Sequence, residues 1–160
     1  MQLLKELSQL CEIIVFTASH ECYANVVLDH LDPKRELVSH RLFRSQCWQT
    51  EEGVYIKDLR VIKNRNLENV LLVDNAAYSY LYHLENGVPI VPFYEDKDDE
   101  ELIHLIRYVK EVTALEEKGH GSLREITGRY FQLGSYTSCE SIDSIANFYK
   151  GVVQKHRGRI

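Results

Sequence analysis

The chain has 160 residues, 44% hydrophobic and 27% charged, which is enough for one domain with a substantial core. Its net charge of -5 argues against nonspecific nucleic-acid binding, which needs a basic surface. No apolar run approaches the roughly 18 residues of a membrane span, and nothing resembles a signal peptide, so the sequence predicts a soluble protein of the cytoplasm or nucleus.

Leu3, Leu7 and Leu10 recur at helical spacing and predict a helix over 2–10. The β-branched, apolar stretch Glu12–Phe16 predicts a strand, which leads into Thr17-Ala18-Ser19. Ser19 can cap the next helix, in which Tyr23, Ala24, Val27, Leu28 and Leu31 form an apolar stripe and which Asp32-Pro33 stops. This β-α order is that of an α/β fold. Residues 37–57 change character: short alternating pieces around Gly53 predict a small antiparallel insert rather than another βα unit. The insert ends at Lys57-Asp58-Leu59.

Val70-Leu71-Leu72-Val73 is an unbroken aliphatic run, suited to a strand buried on both faces in a parallel sheet. It delivers Asp74 and Asn75 to a carboxyl end, where open α/β sheets bind ligands. A tight turn or short helix over 76–80 and the Asn86-Gly87 turn signal follow. The strand Val88–Phe93 carries two prolines, which place it at or near a sheet edge. The acidic run Glu95–Glu101 needs only a solvated loop and a favourable helix N-terminus to explain it. The helix after it has Leu102, Leu105, Ile106, Val109 and Val112 on one side, and Gly119-His120-Gly121 breaks the pattern. In the tail, Ile142, Ile145, Ala146, Tyr149, Val152 and Val153 predict one more amphipathic helix. The four cysteines (Cys11, Cys22, Cys47 and Cys139) form no C-x-x-C pair, and Cys11 and Cys22 lie inside apolar patterns, so reduced, buried thiols are expected.

Singly, the polar residues have structural explanations: Thr17 ends a strand, Ser19 caps a helix, Asp74 caps a turn and Lys57 is a loop cation. The seven histidines lack zinc-ligand spacing, and phosphate-cradling glycine motifs and a G-x-S-x-G elbow are absent. Together the residues suit phosphate chemistry. A hydroxyl and an ammonium can hold phosphate oxygens, and an Asp-Asn pair can hold Mg²⁺.

Phe16-Thr17-Ala18-Ser19, Tyr55-Ile56-Lys57-Asp58-Leu59 and Val73-Asp74-Asn75 resemble motifs of the haloacid-dehalogenase superfamily. More narrowly, the chain resembles phosphatases of the RNA polymerase II C-terminal domain, in the small-phosphatase or nuclear-LIM-interactor-interacting branch. Leu31-Asp32-Pro33, His40-Arg41-Leu42-Phe43-Arg44 and Asn86-Gly87-Val88-Pro89-Ile90 support that branch, over about residues 2–112. The resemblance implies a three-layer α/β domain over 1–112, with the insert at about 37–57 and a C-terminal extension over 113–160. It implies a Mg²⁺-dependent phosphatase acting on phosphoserine or phosphothreonine proteins, possible substrates including the polymerase tail. In the family one aspartate attacks phosphorus to form an aspartyl-phosphate; a second, two residues on, protonates the leaving alcohol and then activates water.

By resemblance, Thr17 and Lys57 hold the phosphoryl group, and Asn75 and Asp74 stand at the metal. Tyr23 and Arg44, with Ser19, line the substrate groove. Many members read Asp-Asn-Ser-Pro where this chain has Asp74-Asn75-Ala76-Ala77. The family's nucleophile motif, D-x-D-x-[TV], is absent; Asp96-Lys97-Asp98 has its spacing but lies in the acidic loop. The resemblance places that motif on a central strand between those ending at Thr17 and Asp74. Two buried strand edges without it would be costly. The expectation is therefore a fragment, poorly folded and inactive alone. The alternative is a non-catalytic pseudophosphatase that binds proteins, as in mitochondrial import-channel subunits of the superfamily.

Overall fold

A computed structural model of the chain describes residues 2–133; the helix expected in the tail and Cys139 lie outside the described residues. The chain divides into two compact units between Lys57 and Asp58.

In the first unit, α1 (Gln2–Leu7) is shorter than expected and continues as turns, with Leu10 and Cys11 donating to the Leu7 carbonyl. Then come β1 (Ile14–Phe16), α2 (Glu21–Leu31) and β2 (His40–Leu42). β2 pairs with β1 in parallel, Ile14 opposite His40 and Phe16 opposite Leu42. The insert reading of 37–57 is thus corrected at its front: β1-α2-β2 is a complete βαβ unit. Three residues are too few for alternation to distinguish a parallel strand from an antiparallel one, and α2 supplies the long crossover that parallel pairing requires. The back of the segment is antiparallel as expected, with β3 (Trp48–Gln49) pairing with β4 (Tyr55–Ile56). Gly53 turns that hairpin at φ +83, a backbone conformation that suits glycine.

The α2 stripe is narrower than the pattern suggests. Ala24 and Leu28 are buried, whereas Tyr23 and Val27 are exposed. Its cap differs too: the N-cap is His20, not Ser19, and no side chain caps the helix. At the other end Asp32 is 2% exposed. Its carboxylate accepts the backbone N–H groups of Glu36, Leu37 and Val38 at 3.0–3.1 Å, fixing the loop that leads to β2. Burial pushes this carboxyl up, but the three N–H bonds and Arg41 outweigh it and leave it below its ordinary range. Cys11 and Cys22 are both exposed, which corrects the expectation of buried thiols. Cys11 follows the last turn of α1, and Cys22 lies off the narrow strip through which α2 is buried.

In the second unit, 3₁₀ turns at Leu59–Val61 and Leu67–Asn69 lead to β5 (Leu72–Asp74). Further 3₁₀ turns at Ala77–Tyr80 and Leu84–Asn86 form the crossover to β6 (Gly87–Pro89), which pairs with β5 in parallel, Asp74 opposite Pro89. β6 stops well short of the expected Phe93. Pro89 and Pro92 have no N–H to give a ladder, and the last backbone bond is from Ile90 to the Asp74 carbonyl. Among the described residues the sheets are two-stranded: β1-β2, β3-β4 and β5-β6.

Asn86 and Gly87 read as a turn signal in sequence, yet both are buried. The Asn86 amide donates to the carbonyls of Leu67 and Val70 at 2.7 and 2.8 Å, joining the approach to β5 to the approach to β6. Gly87 adopts an ordinary φ of -74, so its lack of a side chain serves packing. A Cβ there would meet the Tyr80 ring at 2.9 Å.

α3 (Glu101–Glu117) buries Leu105, Ile106, Val109 and Val112 as expected, but Leu102 is half exposed and Tyr108 takes a core position instead. Glu101 is also buried and accepts the Val91 N–H at 3.1 Å, so one carboxylate of the acidic run is structural. α4 (Leu123–Phe131) has no counterpart in the sequence reading, although its start is marked. Ser122 and Glu125 form a reciprocal capping box, the Ser-x-x-Glu pattern. α4 docks through a bond from Tyr108 Oη to Thr127 Oγ1 at 2.8 Å and through packing of the Tyr108, Tyr130 and Phe131 rings. Arg124 reaches Glu68 and Glu85, while Ser122 donates to Glu68.

Asn86→Ala should leave the Leu67 and Val70 carbonyls without this donor and cost about 2–4 kcal/mol in urea unfolding. A loss under about 0.5 kcal/mol would show that the amide does not hold the β5-β6 crossover.

Candidate functional site

Parallel strands bring their carboxyl ends to one edge, and the polar residues singled out in sequence stand at such ends within each unit. Thr17 follows β1, and its N–H extends the ladder to the Leu42 carbonyl at 2.9 Å. Its Oγ1 accepts the Ser19 N–H at 3.1 Å and folds the backbone into a tight turn. A hydroxyl that accepts in this way still has its proton to donate. The Ser19 carbonyl accepts the Arg44 N–H at 3.1 Å, tying this turn to the residues after β2.

The Arg44 side chain strengthens that tie. Its Nε donates to the Ala18 carbonyl at 2.6 Å, its Nη1 lies 2.8 Å from His20 Nε2, and its guanidinium lies over the Tyr55 ring at 4.9 Å. Strand alternation puts Tyr55 and, one residue past β4, Lys57 on one side, with Ile56 buried on the other at 1% exposure. Lys57 is half-buried. Thus Thr17, Ser19 and Arg44 form one bonded cluster, which the Tyr55 ring extends to the strand that carries Lys57. Tyr23 does not join it: it is 65% exposed on the first turn of α2 and makes no hydrogen bond or ring contact among the described residues.

In the second unit Asp74 ends β5 and is buried, while Asn75 is exposed beyond it. Asp74 Oδ1 accepts the Ala76 N–H at 2.7 Å, the Asx turn by which an aspartate shapes the loop after it. Among the described residues there is no cluster of three or more His, Cys, Asp or Glu suited to a metal ion. Asp74 and Asn75 each carry a side-chain oxygen, the donor type that hard cations such as Mg²⁺ take.

Sequence reasoning missed a half-buried Asp-His pair next to Lys57. Asp58 Oδ1 lies 2.9 Å from His83 Nε2, with both side chains less than a fifth exposed, and Arg60 forks onto the same carboxylate at 2.6–2.9 Å. Asp58 also caps the turn after it by accepting the Arg60 N–H. The Asp-x-Arg spacing hints at that cap, but nothing local announces a partner 25 residues away. The Arg60 side chain, with His83 and the Arg60 N–H, holds the Asp58 carboxyl far below the ordinary carboxylate range, against the opposing effect of its burial.

A depressed pKa stabilises the fold above the unfolded-state value and ceases to do so as pH falls through the folded-state value. Asp58→Asn should therefore flatten the loss of stability below about pH 4, measured by urea unfolding at successive pH values. Parallel acid limbs for the variant and the native chain would remove Asp58 from the account.

A family model described as NLI interacting factor-like phosphatase matches residues 1–119. The chain is 35% identical over 139 residues to CTD small phosphatase-like protein 3 of Caenorhabditis elegans, covering 87% of this chain and 46% of the relative. It is 41% identical over 114 residues to a probable C-terminal domain small phosphatase of Dictyostelium discoideum, covering 71% and 36%. It is 37% identical over 116 residues to carboxy-terminal domain RNA polymerase II polypeptide A small phosphatase 2 of Homo sapiens, covering 72% and 42%. The chain spans less than half the length of each of these relatives. It belongs to the NLI interacting factor-like phosphatase family.

Proposed function

We propose that this member of the NLI interacting factor-like phosphatase family supplies the phosphate-holding part of a Mg²⁺-dependent protein serine/threonine phosphatase. The observation that carries the reading is the family match over residues 1–119, within which the oxygen-bearing and cationic residues stand at or beside strand ends. The Thr17 hydroxyl donates to a phosphoryl oxygen, and the Lys57 ammonium offsets the charge of the dianion. Ser19, on the loop that Thr17 organises, and Arg44, tied to that loop, face the flanking substrate, and Tyr23 offers an exposed ring on the first turn of α2. In the second unit, Asp74 and Asn75 are the residues that would hold Mg²⁺, whose chemistry when bound is to offset negative charge on phosphate oxygens. The substrate class is a phosphoserine or phosphothreonine protein, with the tail of RNA polymerase II as one candidate.

The chemical step in this family needs a nucleophilic aspartate, whose carboxylate oxygen bonds to phosphorus as the alcohol leaves. No D-x-D-x-[TV] occurs among these 160 residues. The chain by itself is therefore a binder of phosphate esters and not a catalyst, and a phosphopeptide should release no phosphate above a Lys57→Ala control.

That same absence supports a second reading, a pseudophosphatase that uses the fold to bind proteins. The two readings differ over Lys57. Calorimetric titration with tungstate, an analogue of phosphate, should give Mg²⁺-assisted binding that weakens at least about tenfold in Lys57→Ala, the scale of a lost charged hydrogen bond. Binding of equal strength in the variant would favour the pseudophosphatase.

A further inference from the structure

His20 is not one of the residues through which the family resemblance reads the site, yet it has a defined partner. Its Nε2 lies 2.8 Å from Arg44 Nη1. A guanidinium is always charged and only donates, so the imidazole nitrogen facing it must accept. The bond therefore requires neutral His20 with its proton on Nδ1. Protonation would turn the acceptor into a donor and place two cations in contact.

That bond is one of four contacts that fix Arg44. Arg44 Nε is committed to the Ala18 carbonyl, Nη1 to His20 and the guanidinium face to Tyr55, while the backbone N–H of Arg44 is committed to Ser19. The side chain is thus fixed between the loop carrying Thr17 and the strand leading to Lys57. Nη2 makes no protein hydrogen bond among the described residues, and the residue is only half-buried. Its remaining donors are aimed by His20 and are open to whatever flanks a bound phosphate. Of the charged and titratable groups beside the pair, Tyr55 lies under the guanidinium, Lys57 follows two residues after Tyr55, and exposed Glu21 comes directly after His20 at the start of α2.

We propose that His20 is a positioning residue that sets Arg44 for the peptide flanking the phosphate, and that its protonation releases Arg44 and lowers the preference for a phosphopeptide over a phosphoserine without flanking residues. This rests on the phosphate-holding role of Thr17 and Lys57. The bond is exposed, so the effect is modest: about three- to tenfold, the range of one ordinary hydrogen bond.

The test measures Kd for a fluorescent phosphoserine peptide and for a single blocked phosphoserine (N-acetyl, C-amide), using the 160-residue chain at about pH 7.5 and about pH 5.5, the range in which histidine changes charge. Both ligands carry the same phosphate monoester, so the ratio of the two removes most of the titration of the phosphate itself. In the native chain the preference for peptide should fall about three- to tenfold on acidification. His20→Gln keeps a carbonyl acceptor that does not titrate and should hold the preference constant. His20→Leu should show the low preference at both pH values. Parallel falls in the native chain and His20→Gln would overturn the proposal, as would a His20→Leu variant that behaves like the native chain. Loss of Lys57-dependent binding altogether would instead overturn the phosphate reading. The Arg44 Nε–H resonance decides the latch without any ligand: it should shift with the His20 ring titration and be static in His20→Gln. A static resonance in the native chain would sink the latch outright.

Discussion

Parallel strands cannot be joined by a hairpin, and this constraint governs the placement of Thr17 and Asp74. Each parallel pair needs a crossover of about a dozen residues that returns the chain to its starting end. Between β1 and β2 the crossover is built around α2; between β5 and β6 it consists of two 3₁₀ turns over residues 75–86. Either way, the residues just past the strand are delivered at its carboxyl end. Thr17 and Asp74 stand there because the chain must leave the sheet at that point to make its crossover. The local chemistry at both places is the same. A side-chain oxygen accepts an N–H two residues on, Thr17 from Ser19 and Asp74 from Ala76, and turns the backbone out of the strand.

Crossovers made largely of loop must be held by something other than helix hydrogen bonds, and here single buried or half-buried polar groups hold them. Asp32 accepts three successive backbone N–H groups before β2. Asn86 bonds two carbonyls before β5. Asp58 joins the segment after Lys57 to His83. Each leaves buried groups unsatisfied if removed, which is more destabilising than losing a surface contact. Close packing constrains Gly87 in a similar way, because the Tyr80 ring fills the space a side chain would need. The family's Leu-Asp-Pro, Lys-Asp-Leu and Asn-Gly-Val-Pro signatures thus contain loop anchors as well as site residues.

None of the threonine, the lysine and the Asp-Asn pair is informative alone; family membership is what joins them in the proposed reading. It does not account for His20, whose role comes from one neighbouring guanidinium. Arg44 is reached by contacts that belong to this fold: a carbonyl and an imidazole from the loop after β1, and a ring from β4.

By itself the sequence determined the α/β class, the strands at Ile14–Phe16 and Leu72–Asp74, the α2 and α3 helices and the polar residues that end the strands. These rest on local signals: unbroken β-branched runs, helical periodicity and a proline stop. Only the tertiary structure decided the rest. His40–Leu42 is too short to declare its partner, so its parallel pairing with β1 had to come from α2 folding back. Cys22, Val27 and Leu102 are apolar enough to read as core, yet they fall outside the narrow strips where their helices are buried. Tyr108 enters the core because α4 offers Thr127 to its hydroxyl. The Asp58–His83 and Arg44–His20 pairs join residues more than 20 positions apart. Periodicity reports only which face a residue shares with its chain neighbours, whereas these contacts are made across loops whose course depends on buried polar groups found nowhere in the local pattern.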